Sequence, residues 1–201
     1  MGWQSRGYLP HIEFPGQVQA VTFRLNDSVP TRVVRQWIAE IAGQPGFPKP
    51  EQRALALRRR ITTFEDAGHG ICHLADPRVA GAVEATLLHG DGNAYALLAW
   101  CIMPNHVHVV VEPMAGVSLH SIIQAWKSIS ARRANILLGR TGPFWMREYY
   151  DRYIRDDAHL EAAIRYAENN PVDAGLCARP KDWSWSSGSA HRRRNVDAPL
   201  R

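Results

Sequence analysis

Two apolar runs, YALLAWCI at 95–102 and HVHVVVEP at 106–113, are separated only by Met103-Pro104-Asn105. Both runs are rich in β-branched and aromatic residues, and a Pro-Asn linker of three residues suits a tight reversal, so this stretch predicts an antiparallel hairpin. Helix-forming sequence flanks the hairpin on both sides. Residues 17–25 (QVQAVTFRL) predict an earlier strand, bounded by Pro15-Gly16 and Asn26-Asp27. Helices are predicted over 31–42, over 51–66, and from the Asp76 cap with Pro77 in the first turn to about Gly90. Ser118 caps a long helix, 119–138, that Gly139 closes. Residues 144–155 suit a short strand, and Asp156 or Asp157 caps a helix that Pro171 stops.

The order strand, helices, hairpin, helix, strand, helix reads as α+β. It is compatible with a ferredoxin-like split antiparallel sheet carrying a helical insertion over about 26–92. With 201 residues, 45% of them hydrophobic and 21% charged, one domain spanning 1–201 with a real core is expected. The tail from 177 onward, rich in Trp, Ser and Arg, reads as loosely ordered.

The second strand of the hairpin carries the chemistry. His106 and His108 stand two apart, so a strand turns both to one face and Val107, Val109 and Val111 to the other. Two imidazoles among valines must satisfy their ring nitrogens. A divalent metal does so, and so does a hydrogen-bonded pair beneath a helix. A rival cluster, His69, Cys72 and His73, has zinc-like spacing but no evident fourth ligand. On the last helix, Tyr166 and Asn170 lie one turn apart, about 40° around the axis, beside an apolar stripe of Leu160, Ile164 and Ala167. Nothing local singles out Tyr166 over Tyr149, Tyr150 or Tyr153.

The formal net charge is +5, and all but Lys49, Lys127 and Lys181 of the 24 basic residues are arginines. Guanidinium forks match phosphate oxygens, which fits a nucleic-acid partner; a solvated surface spelled in Arg fits equally. Three cysteines without a C-x-x-C pair argue against a disulfide framework. No apolar h-region or membrane-length run is seen, so a soluble, cytoplasmic chain without a membrane partner is expected.

Four segments in order carry a family resemblance: LPHIEFPGQVQAVTFRLNDSVP (9–30), MPNHVHVVV (103–111), FWMREYYDRYIRD (144–156) and LEAAIRYAENNPVDAGL (160–176). Together they resemble the REP-associated tyrosine transposases, single-tyrosine HUH nucleases related to the IS200-like transposases. The resemblance implies a ferredoxin-like HUH endonuclease fold. It also implies a divalent metal, Mg²⁺ or Mn²⁺, and single-stranded DNA, with hairpin or palindromic repeats as the substrate. His106 and His108 match the two HUH histidines, Tyr166 the nucleophile, and Asn170 the position that completes the metal site. The implied reaction is strand cleavage and transfer through a 5′-phosphotyrosine link, by a monomer or a homodimer. Where many relatives carry bulky residues after the tyrosine, this chain has Ala167-Glu168, and Glu168 is expected to be solvated. Lys127, Arg132, Arg133, Arg147, Arg152 and Arg155 are candidates to hold the DNA backbone, and Trp145 to stack on a base. Arg192-Arg193-Arg194 offer nonspecific charge. The rival readings are a domesticated binding protein without cleavage and a metal-dependent phosphodiesterase that uses water.

Overall fold

The computed structural model describes residues 3–5, 10–12, 16–26, 28–44, 46, 49–68 and 70–189. A short ribbon pairs β1 (Trp3–Ser5) with β2 (Pro10–Ile12), antiparallel. The main sheet is built from β3 (Gln19–Leu25), β4 (Tyr95–Ile102), β5 (His106–Pro113) and β6 (Trp145–Tyr153). Its order is β4-β5-β3-β6, with every neighbour antiparallel. The expected hairpin is β4–β5, closed by the Met103 N–H donating to the His106 carbonyl at 2.9 Å.

Helices α1 (Thr31–Ala42), α2 (Pro50–Asp66) and α3 (Pro77–His89) connect β3 to β4. Helix α4 (Leu119–Leu137) connects β5 to β6, and α5 (Asp157–Asp173) follows β6. Caps read from sequence are in place: Asp76 accepts from the Arg78 N–H, Ser118 from Ser121, and Asp156 from His159. Helices α3 and α4 pack side by side on one face of the sheet, against Val21, Phe23, Leu25, Val107, Val109 and Val111. This is the split β-α-β frame expected. Of the described residues in segment 26–92, α1, α2 and a 3-10 turn at His73–Ala75 lie outside that frame; α3 is its own crossover helix.

Two expectations are corrected. Pro171 does not stop the last helix; it lies inside α5, which runs on to Asp173. Proline removes one N–H but its φ is helical. The turn beyond it is closed instead by Gly175 at φ +71, with the Gly175 N–H donating to the Val172 carbonyl (2.9 Å) and Leu176 to Pro171 (2.8 Å). Nor is the described part of the tail loose. Trp185 and Ser187 lie along the outer edge of β4: the Ile102 N–H donates to the Trp185 carbonyl (2.8 Å) and the Ser187 N–H to the Trp100 carbonyl (2.9 Å). Ser186, Ser187 and Ser189 are buried as a result. An edge strand with unpaired groups invites foreign pairing, and this segment covers it. Arg192, Arg193 and Arg194 lie outside the described residues.

Candidate active site

Strand alternation puts Thr22 and Arg24 of β3, His106 and His108 of β5, and Tyr150 and Arg152 of β6 on the face opposite α3 and α4. The register confirms it: Thr22 stands across from His108 on one side and Tyr150 on the other. Helices α2 and α5 cover this face and leave between them a cleft of about 530 Å³.

His106 and His108 are buried, with their Nε2 atoms 2.8 Å apart. Each outer nitrogen is held. His106 Nδ1 meets Asn105 Oδ1 at 2.7 Å, an oxygen that only accepts, so the proton sits on Nδ1 and the Nε2 lone pair points inward. Asn105 is oriented in turn by donating its amide to the Glu65 carbonyl at 3.1 Å. His108 Nδ1 meets Thr22 Oγ1 at 2.9 Å. Burial, then the neighbouring His108, holds the His106 imidazole well below the ordinary histidine range. Burial, then the charge of Arg58, pulls His108 down to about 4. Both rings are therefore neutral at pH 7, the form that binds metals.

Tyr166 reaches the pair from α5, its ring packed edge-on to His108 with centroids 5.3 Å apart. It is 46% exposed and lines the cleft. One turn on, Asn170 is 2% exposed and lies against His108; its Oδ1 has no hydrogen-bond partner. The buried Asn170 oxygen, beside the facing Nε2 atoms of His106 and His108, is an arrangement that suits a further group. Among the described residues no third His, Cys, Asp or Glu joins them. Cys101, across from His108 in the register, is kept a neutral thiol by burial and supplies no thiolate. The rival cluster gains nothing: His69 lies outside the described residues, and burial raises the Cys72 thiol.

The expected DNA contacts divide. Arg152 lines the cleft with Tyr166. Arg147 and Arg155 are exposed on and just after β6. Arg132 and Arg133 are exposed on α4, across the sheet from the cleft. Lys127 is engaged elsewhere, donating to the Met146 (2.6 Å) and Arg147 (2.8 Å) carbonyls. Trp145 is 6% exposed, edge-on to Phe23 and Phe144, with its indole N–H on Ser130 Oγ at 2.9 Å. Its faces belong to the core, so the base-stacking role expected of it is withdrawn. Glu168 is not solvated either: it accepts from Ser187 Oγ at 3.0 Å and so joins α5 to the tail.

Thr22, Asn105, Arg58 and Glu65 also stand at the site, and no local sequence pattern marks them for it. Asn105 was read only as a turn residue. Arg58 sat in the run Arg58-Arg59-Arg60 on a helix with no visible tie to the hairpin. Arg58 lies over the ring of Tyr150, close enough for its charge to act on His108, while Glu65 pairs with Arg24 at 3.3 Å.

The comparisons agree with the resemblance carried by the sequence. Residues 89–170 match the family model Y1_Tnp, "Transposase IS200 like". A "Putative REP-associated tyrosine transposase" of Haemophilus influenzae (strain ATCC 51907 / DSM 11121 / KW20 / Rd) is 27% identical over 103 residues, 46% of this chain and 58% of that protein. The matched stretch thus spans under two thirds of that relative. A solved structure described as "Structure of the REP associates tyrosine transposase bound to a REP hairpin" is similar with a TM-score of 0.55 at 14% identity, over 95% of this chain and 90% of that one. The likeness shows the fold, an open four-stranded antiparallel sheet within an α+β frame. No helix among the described residues is long and apolar enough to cross a membrane.

Proposed function

We propose that this chain is a metal-dependent endonuclease and strand transferase for single-stranded DNA, with hairpin-forming repeats as its substrate and Tyr166 as its nucleophile. One observation carries the reading: Tyr166 and Asn170 of α5 converge on the His106–His108 pair of β5. The family resemblance and the hairpin bound by the structural relative support the substrate.

A divalent cation fits these donors. Two ligands about 2.1 Å from one ion and at right angles stand about 3.0 Å apart, close to the spacing of the two Nε2 atoms. Asn170 Oδ1 would supply a hard oxygen, and imidazole with amide oxygen suits Mg²⁺ or Mn²⁺ better than a thiolate-seeking metal. When bound, such an ion polarises a phosphate and offsets its developing charge.

The protein's part follows from placement. Tyr166 Oη attacks the scissile phosphorus in line; the O–P bond forms as the bond to the 3′ oxygen breaks. The phenol loses its proton, and the departing 3′ oxygen gains one and leaves as a hydroxyl. The 5′ end stays on Tyr166 as a phosphodiester-energy bond, so a 3′ hydroxyl can attack back and rejoin strands without a nucleotide cofactor. Asn105 and Thr22 hold the two imidazoles in the tautomer and tilt that this requires.

The test is a covalent-adduct assay with Mn²⁺ and labelled single-stranded hairpins from the gene's own flanks, run on denaturing gels. The adduct is expected with wild type and absent in Tyr166→Phe and His106→Ala. An adduct that persists in Tyr166→Phe moves the nucleophile to another tyrosine. Cleavage with no adduct points to water as nucleophile, and tight hairpin binding with no cleavage to a binding protein.

A further inference from the structure

Several arginines of the chain meet a carboxylate: Arg24 with Glu65, Arg60 with Glu40, Arg78 with Asp76, Arg165 with Glu161, Arg179 with Asp182. Arg58 is different. It is half-buried between α2 and the sheet, lines the cleft beside His108 and Tyr166, and has no carboxylate partner among the described residues. Its one neighbour of note is Tyr150, whose ring it covers. Burial draws its pKa down, the sign of a desolvated guanidinium, and the Arg152 charge close by adds to this. Taking a cation out of water without a counter-ion is unfavourable, and such a group is stabilised when an anion arrives. A guanidinium fork held over an aromatic ring is placed to grip two oxygens of a phosphate.

We propose that Arg58, carried by the added helix α2, binds the phosphate that Tyr166 attacks. That the anion is a phosphodiester rests on the nuclease reading; that the site takes an oxyanion rests on Arg58 itself. The stacked Tyr150 fixes the fork, and the cleft admits the strand between α2 and α5. Helix α2 thereby serves the reaction, adding a guanidinium over Tyr150 to the Arg152 that β6 places in the same cleft.

The proposal separates from a structural role because the two predict opposite stability effects. Thermal unfolding is measured in EDTA, with and without inorganic phosphate, for wild type, Arg58→Met, Arg58→Lys and, as a charge control, the exposed Arg35→Gln. Phosphate is expected to raise Tm for wild type and Arg35→Gln and to leave Arg58→Met unmoved. Without phosphate, Arg58→Met is expected to melt at or above wild type, since an unpaired buried charge is gone. Its adduct formation is expected to slow by about 100-fold, as for loss of one preorganised donor to a developing anion, while Mn²⁺ still binds. Arg58→Lys keeps the charge without the fork and is expected to recover only part of both effects. An Arg58→Met protein that still gains stability from phosphate, or that forms adduct at the wild-type rate, overturns the proposal. So does one that melts well below wild type while Arg58→Lys restores its Tm in full. Wild type that gains from phosphate through Arg58 yet never forms an adduct keeps the anion site and removes the nuclease reading.

Discussion

The two faces of the sheet use the same strands for opposite purposes. On β5, Val107, Val109 and Val111 sink into the core under α3 and α4, each at most 1% exposed. Their neighbours His106 and His108 are buried too, 1% and 5% exposed, on the other face, yet every ring nitrogen meets a polar atom. The valine face gains stability from apolar area; the histidine face spends buried volume on polar groups that must be satisfied one by one. Burial alone thus does not separate core from site; what each buried atom touches does.

The comparison predicts that activity and stability come apart across the sheet. The largest effect is expected from Tyr166→Phe, which should abolish the DNA adduct while moving stability by about 1 kcal/mol or less, the range for a half-exposed hydroxyl. Its mirror image is Ile123→Ala on α4, a side chain 1% exposed in the valine-face core. That change is expected to reduce unfolding stability by about 2–5 kcal/mol, with Mn²⁺ binding to the folded fraction unaltered. Denaturant melts and calorimetric Mn²⁺ titration of both variants check the pair, and a core variant that lost metal binding before it unfolded would show the faces to be coupled.

Next in size is Asn105→Ala. It leaves His106 in place but frees its tautomer, and Mn²⁺ affinity is expected to fall about 10–100-fold, as for other groups that orient a ligand. Ser187→Ala removes the hydroxyl that Glu168 accepts and that also faces the Trp100 backbone. A loss of about 1–2 kcal/mol is expected, read by urea titration. The last effect is seen only as a pH dependence: burial lowers the Lys127 pKa to about 8 from the ordinary 10.5. Between those values the unfolded chain holds a proton that the folded chain has shed. Stability from this group is therefore expected to rise with pH from about 8 to 10.5 and to be absent below. The difference in pH dependence between wild type and Lys127→Met measures it; a flat difference removes the assignment.

Much of the fold was legible because it is local. The helix over 31–42, the two strands at 95–102 and 106–113, and the Asp76, Ser118 and Asp156 caps follow from spacing and from cap chemistry within a few residues. Pro171 and the tail were misread for the same reason: neighbours in space, Gly175 closing the helix end and β4 pairing with Ser186, supply what the local rule lacks. Glu168 was expected in water because the helix wheel shows direction, not what stands there.

By itself the sequence determined the class, α+β, and the pairs of groups one element aligns: His106 with His108 by the strand repeat, Tyr166 with Asn170 by the helical turn. It also carried the family resemblance. Only the tertiary structure decided that those two pairs meet, that Trp145 belongs to the core, and that Thr22, Asn105 and Arg58 complete the site from three other parts of the chain. Periodicity fixes direction within an element, whereas contact between elements depends on how they pack, and Arg58 stands 50 residues before His108.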